Sequence, residues 1–259
     1  MQTVFLPTCV GTVAVHIRRI ESDKLPVIFL HGVYFDHRIW DTHIQQISDR
    51  TCIAIDMPLH GESRGTPTPN FTLADCATMA LEILDALHIS RAIAVGHSWG
   101  AMTLLRAAHR SPGRFAAIAL CNMPLHAATP RKKAGFRLQH TLLRFRAFYA
   151  RQTAKALFAR TSLRANPHLF NVLRTSLAVL TDADIKRIDQ IVVLDAEDAT
   201  EYVLQLKVPA IGIKGAHDYV PSLPRPFETH EVPGGHISPI EAPQHVHALL
   251  LRFFDQPTR

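Results

Sequence analysis

No run of apolar residues in this 259-residue chain approaches the 18 or more of a membrane-spanning helix, so no span is expected. The opening stretch, Met1 to Pro7, has neither the basic start nor the apolar core of a secretory signal, and none is expected. Cysteine is scarce: Cys9, Cys52, Cys76 and Cys121 are widely spaced and form no C-x-x-C pair. Three of them lie in or beside apolar stretches and read as buried, reduced thiols, the usage of a cytoplasmic protein. The 16 histidines include no H-E-x-x-H motif. His245 and His247 fall in an expected helix, where residues two apart point to different sides. Neither a metal nor another cofactor is therefore expected. Acid is missing too, but only locally. From Met123 to Thr181 there is no Asp or Glu, while eleven Lys and Arg fall in that span. Removing those eleven from the chain's 28 leaves 17 bases against 22 acids, so the net charge of +6 belongs to one segment. A basic surface of that kind needs an accompanying reading motif to imply nucleic acid. None is present, so no nucleic-acid partner is expected.

What is present, at 47% hydrophobic and 19% charged residues, is the composition of a globular chain able to bury one large core. Short strands are expected at Thr3 to Leu6 and Thr12 to Arg18, joined as an antiparallel hairpin. Continuous apolar runs at Leu25 to Leu30, Thr51 to Ile55, Ala92 to Val95 and Phe115 to Cys121 suit strands buried on both faces of a mostly parallel sheet. Helical periodicity separates them, at His37 to Ser48 and from an N-cap at Thr72 to about His88. Gly65 to Asn70, rich in Pro and Gly, reads as a loop. From Asn122 to Lys207 the pattern is helical only. Arg137 to Ala159 reads as one amphipathic helix, with Leu138, Leu142, Phe145 and Tyr149 on its apolar face, and Thr181 to Ala196 as another. Strands return at Val208 to Lys214 and Phe227 to Val232, and Ala242 to Phe254 closes the chain as a helix. The expected organisation is a core of residues 1–122 and 208–259 with a helical insert, 123–207, after the sixth strand.

One pentapeptide carries the chemistry. Gly96-His97-Ser98-Trp99-Gly100 stands between an apolar strand and a helix-compatible stretch, the order of a nucleophile elbow. Its turn is tight enough to require small residues at Gly96 and Gly100. A serine hydroxyl needs a base to take its proton and an acid to orient that base. Asp218 follows the strand ending at Lys214, and His236 follows the last strand after Gly234-Gly235. Acid then histidine, each after a strand, is the order this topology requires. An acyl-transfer site also needs donors for an oxyanion. The backbone N–H groups of Trp99 and of Val33, in the loop after the strand ending at Leu30, are the candidates.

With His31-Gly32, Asp56-Met57-Pro58-Leu59-His60-Gly61-Glu62-Ser63, Gly96 to Gly100, Gly215-Ala216-His217-Asp218 and Gly234-Gly235-His236-Ile237-Ser238-Pro239-Ile240-Glu241-Ala242-Pro243, the chain resembles the small, cap-bearing members of the α/β-hydrolase superfamily. The resemblance implies an eight-stranded, mostly parallel sheet flanked by helices, with a helical cap inserted after the sixth strand. It implies Ser98 as nucleophile, His236 as base, Asp218 as acid, and Val33 and Trp99 as oxyanion donors. Asp56 and His60 look like loop-shaping residues in that family. Asn122 occupies its alternative acid position, although an amide cannot stabilise an imidazolium as a carboxylate does. The chain departs from the family where only Tyr219 to Pro226, with three prolines in eight residues, separate Asp218 from the last strand. An extended crossover is expected there, leaving one sheet face thinly covered near the acid.

The expected function is cleavage of a small carboxylic ester or lactone through an acyl-enzyme on Ser98. His31, Trp99 and Met123 are the residues expected to contact substrate, the bulk of Trp99 narrowing the acyl pocket. Carbon–carbon bond hydrolysis or cofactor-free perhydrolysis by the same residues stays open, as does a ligand receptor or scaffold with slow turnover. The partner is a small molecule. It is an anionic one if basic residues of the insert face the cleft, and those bases otherwise pair with the acidic run from Asp182 to Glu201.

Overall fold

The structure, a computed structural model, describes residues 1–63 and 70–255. All but the last residue of the loop expected at Gly65 to Asn70 lies outside them. Eight strands form one sheet: β1 (Gln2–Thr8), β2 (Gly11–Arg18), β3 (Val27–Leu30), β4 (Cys52–Ile55), β5 (Ala92–His97), β6 (Phe115–Cys121), β7 (Ala210–Gly215) and β8 (Glu228–Val232). Their spatial order is β1-β2-β4-β3-β5-β6-β7-β8. The β1–β2 hairpin and the β2–β4 pair are antiparallel, and every other pair is parallel. β3 through β6 are buried along their whole length, as continuous Val/Ile/Leu/Ala runs require when helices cover both faces. The two outer strands are only partly buried.

The helices are α1 (Asp41–Gln46), α2 (Leu73–Ala86), α3 (Trp99–Arg110), α4 (Pro130–His140), α5 (Arg146–Leu157), α6 (Arg160–Ala165), α7 (His168–Ala178), α8 (Asp182–Asp189), α9 (Thr200–Leu204), α10 (Ser238–Glu241) and α11 (Pro243–Phe254). Thr72 caps α2 in a reciprocal box: its hydroxyl accepts from the Asp75 amide, and the Asp75 carboxylate accepts from the Thr72 amide. Thr181 and Asp184 do the same for α8. The expected helix over 37–48 is a 3₁₀ turn (His37–Trp40) followed by α1.

α4 through α9 all lie between β6 and β7. The long helix expected over 137–159 is two. The chain leaves α4 after His140 and enters α5 at Arg146, so the apolar positions do not form one face. Leu143, in the turn, takes the buried place at 1% exposure, while Leu138 and Phe145 are 69% and 53% exposed. Residues 190–194 continue α8 as a π-helical turn.

Between β7 and β8 there is no helix. Leu223 lies over Gly212 on the sheet face, and its amide donates to the Thr229 hydroxyl, 2.8 Å. A groove of about 610 Å³ does open beside these strands, lined by Ala210, Glu228, His230 and Phe253. It sits at the start of β7 and β8. Asp218 follows their far end, so the thin cover is not near the acid.

Candidate active site

β5 delivers the chain into the elbow and α3 takes it away. Ser98 sits between them at φ 50° and ψ −111°, a conformation non-glycine residues rarely adopt. The turn holds because its neighbours have no side chain. A Cβ on Gly96 would lie 2.5 Å from the Ala101 nitrogen, and one on Gly100 would lie 2.3 Å from the Leu30 carbonyl oxygen. The Gly100 amide donates to the His31 carbonyl, which ties the elbow to the end of β3.

Ser98 Oγ lies 2.9 Å from His236 Nε2. His236 Nδ1 lies 2.9 and 3.1 Å from the two oxygens of Asp218. Burial alone would raise the Asp218 carboxyl, but the hydrogen bond and charge of His236 and the amide of Asn122 outweigh it and hold the group below its usual range. An ionised carboxylate only accepts, so Nδ1 carries the imidazole proton and Nε2 is left to accept from the serine hydroxyl.

Asp218 is held from its other side. Asn122 Nδ2 donates to Asp218 Oδ2 at 2.6 Å and to the Gly235 carbonyl at 3.1 Å, while Ser238 Oγ donates to Asn122 Oδ1. Asn122 thus orients the acid. His236 is fixed through its backbone: His97 Nε2–H donates to its carbonyl at 2.7 Å, and its amide donates to the Leu157 carbonyl at 2.7 Å. Glu241 accepts from the amides of Ala159 and Ile237, strapping the insert to the histidine loop. Tyr219 stacks on the His236 ring with centroids 4.8 Å apart, and Lys132 Nζ lies 4.3 Å from the centre of that tyrosine ring. Sequence reasoning did not assign His97, Tyr219, Glu241 or Lys132. His97, inside the pentapeptide, and Glu241, five residues after His236, carried a positional signal. Lys132 belonged to the base-rich span whose residues were left free to face the cleft, and Tyr219 carried no signal.

Val33 lines the cavity beside Ser98. Trp99 begins α3, so its amide belongs to a first turn that has no carbonyl four residues back. Under the Val33 loop, His60 Nε2 accepts from the Tyr34 amide at 2.9 Å and His31 Nε2 accepts from the Met57 amide at 2.8 Å. Burial lowers the His31 ring and pushes His60 down to about 3, so both stay neutral and able to accept.

The side chains of His31, Trp99 and Met123, expected at the substrate, lie outside the lining of this cavity. His31 is fully buried beneath its loop. The Trp99 indole, also fully buried, is turned inward between Phe71 and His60. Backbone geometry explains this, because an elbow exposes the serine and sends the next side chain down into the sheet–helix layer. The walls are instead Val33, Tyr34, Met102, Leu157, Val192 and Tyr219, with Lys132, His126 and Asp189 as polar members. Both Asp189 oxygens are occupied: Tyr34 Oη–H donates to one and His140 Nε2 lies 2.7 Å from the other. The free space is small, about 70 Å³. Of the pairing expected between the basic and acidic runs, Arg146 meets Asp182 at 3.1 Å, whereas Lys132 stands at the cavity.

One set of metal-ligand groups comes together elsewhere among the described residues. His16, His37 and Asp56 each bring a ligand atom within 4.8 Å of the others. Asp56 is already saturated there, accepting from both rings at 2.9 Å and from the amides of His37 and Glu62 at 2.8 Å. Asp56 thereby holds the loop that follows β4.

Comparison with known proteins places these observations in a wider set. A family model described as alpha/beta hydrolase fold matches residues 26–199. An esterase of Thermogutta terrifontis superposes with a TM-score of 0.80 at 20% identity, covering 98% of each chain. The enol-lactonase of Burkholderia xenovorans LB400 superposes at 0.79 with 20% identity, over 94% of this chain and 97% of its own. An epoxide hydrolase of Caballeronia sordidicola is 34% identical over 105 residues, 38% of this chain and 31% of its own length. The matched stretches span only 25% to 34% of the first curated relatives.

Proposed function

The chain belongs to the alpha/beta hydrolase family, and from that premise we propose that it cleaves a small carboxylic ester or lactone through an acyl-enzyme on Ser98. The observation that carries this reading is the unbroken relay Ser98 Oγ–His236–Asp218, with both joints at 2.9 Å. Ser98 attacks the carbonyl carbon as His236 Nε2 takes its proton, and Asp218 stabilises the imidazolium that forms. The tetrahedral oxyanion meets the amides of Val33 and Trp99, with the positive end of α3 behind them. His236 then gives the proton to the departing alkoxide. Water repeats the sequence on the acyl-enzyme and releases the acid.

Epoxide opening by direct attack on carbon uses a carboxylate nucleophile, and the elbow here holds a hydroxyl. Residues 123–207 act as the cap in this reading. The small cavity suits a short acyl group, and Lys132, whose ammonium burial lowers, offers a positive charge to a carboxylate-bearing ester.

A short-chain nitrophenyl ester tests the proposal. Expected are a burst of nitrophenol, covalent labelling of Ser98 by a fluorophosphonate, and loss of both in Ser98→Ala with the fold intact. Turnover lower by about 10⁴-fold or more is expected for that variant. Full turnover in Ser98→Ala, or no labelling of the native chain, would overturn the acyl-enzyme reading. Slow turnover with normal labelling would favour a receptor. Matched neutral and anionic esters report on Lys132: a salt-sensitive preference for the anion is expected, and equal rates would remove the charge from the specificity.

A further inference from the structure

The roomier of the enclosed spaces near the insert does not touch Ser98. A cavity of about 580 Å³ opens between the start of α2, the middle of α3 and the segment of the insert from α8 to α9. Two cations meet there. Arg106, on α3, is only 6% exposed. Its Nη1 donates to the Met102 carbonyl at 3.1 Å, and its guanidinium lies 5.0 Å from the Tyr202 ring, but Nη2 has no hydrogen-bond partner among the described residues. Arg187 reaches the same cavity from α8, its guanidinium 4.8 Å from the face of Phe71. That guanidinium is held by one carbonyl and one aromatic face, with the Glu197 carboxylate attracting it from beyond ion-pair distance, so its charge is incompletely compensated, and leaving such a group without a direct partner is costly. Burial accordingly pulls its proton affinity down.

We infer that this cavity is a second binding site, for a small organic monocarboxylate whose charged end pairs with Arg106 and Arg187 and whose apolar body lies against Phe71, Ile191 and Tyr202. The first turn of α2, Leu73 and Ala74, also lines the cavity, its positive end partly offset by the Asp75 carboxylate of the capping box. The other charges on the rim select among anions. Asp195 and Glu197 also line the cavity and are exposed, Asp195 accepting from Gln190 Nε2 at 2.6 Å. Two carboxylates at the rim oppose a dianion, so inorganic phosphate is a poorer occupant than a monoanion with an apolar body.

The site is coupled to the catalytic cavity by position. The π-helical turn over 190–194 is their shared wall, with Gln190 and Ile191 on this side and Val192 and Val193 on the side of Ser98. The Phe71 ring is stacked on the Trp99 indole, with centroids 6.4 Å apart, and Trp99 directly follows Ser98.

Benzoate is the probe, titrated at constant ionic strength with chloride as the balancing anion. Expected are saturable changes in tryptophan emission, from Trp99 through Phe71, and a Tm rise of about 3–5 °C at roughly ten times Kd. Arg106→Met removes the charge and keeps the volume. It should match or exceed the native Tm without benzoate, because it deletes an unpaired buried charge, and should show neither response to benzoate. Arg187→Met should weaken benzoate binding by about tenfold. Arg106→Lys should retain part of the response. The readout is stability and emission, so it stands whether or not Ser98 forms an acyl-enzyme. A native chain with no saturable response would overturn the site. So would an equal response in Arg106→Met, or an Arg106→Met that fails to fold, which would make Arg106 a packing residue. Tighter binding of phosphate than of benzoate would overturn the ligand class.

Discussion

Asn122 shows how much of this arrangement depends on residues outside the Ser98–His236–Asp218 relay. It lies at φ 51°, in the left-handed region that asparagine tolerates better than most side chains. From there it grips Asp218, Gly235 and Ser238 at once. Asn122→Asp keeps the backbone preference and the bond from Ser238, but sets a second carboxylate within 2.6 Å of Asp218. Like charges that close cannot both ionise freely, so one carboxyl of the pair titrates higher. The acid limb of the pH profile of kcat/KM is expected to move up by roughly one unit or more, with activity partly recovered at alkaline pH. A residue with only a structural role would change Tm and leave the limb in place. The positions of Ser98, Asp218 and His236 were readable from sequence because each follows a strand, and chain order at strand ends survives folding unchanged. Asn122 stood out only as an alternative acid. The orientation of its amide depends on Ser238, 116 residues away.

Among the elements, the joint between insert and core turns on Gly235. A Cβ there would lie 2.6 Å from the Ala159 nitrogen and 2.8 Å from the Leu157 oxygen, both backbone atoms at the end of α5. Since a backbone cannot rotate away as a side chain can, Gly235→Ala must displace either α5 or the histidine loop. A loss of about 1–3 kcal/mol in stability is expected, together with a kcat loss greater than the KM change, because His236 is the residue displaced. Denaturation and steady-state kinetics on the same preparation check this, and an unchanged kcat would show that the insert does not brace the base. The glycine was legible in sequence as a feature of the loop. Its neighbour was not, since nothing local links residue 235 to residue 158. The break in the 137–159 helix escaped for a related reason. Periodicity is compatible with one long helix, and only packing against the rest of the insert selects Leu143 as the buried residue and leaves Leu138 and Phe145 in solvent.

The molecule as a whole buries several histidines as neutral donors, and this sets its response to acid. Burial pushes His43 down to about 4, and His60 and His97 to about 3, each donating one ring N–H to a backbone carbonyl. Their folded values lie below the unfolded one, so the unfolded chain binds more protons as pH falls below 6.5 and stability declines with it. Together the three should remove roughly 4 kcal/mol between pH 7.5 and 5.5. His37, whose ring Asp56 raises against the effect of its own burial, opposes the trend as a single group. Denaturant unfolding at the two pH values checks the sign, and equal stabilities would mean that these rings are not held neutral.

The positions of the strands along the chain, the elbow and the sequence of serine, acid and histidine are properties of the chain read in one dimension, because local propensity and steric limits at glycine act over a few residues. The missing helix between β7 and β8 was equally local, since three prolines deny a helix its amides. Tertiary structure alone decided which side chains line the cavity beside Ser98. It turned Trp99 and His31 away from the cavity, brought Tyr219 onto the His236 ring with Lys132 beside it, and left Arg106 without a full set of partners beside a second cavity. Those outcomes depend on the packing of segments tens to more than a hundred residues apart, where the free energy comes from burying apolar area and carries no signature in local sequence.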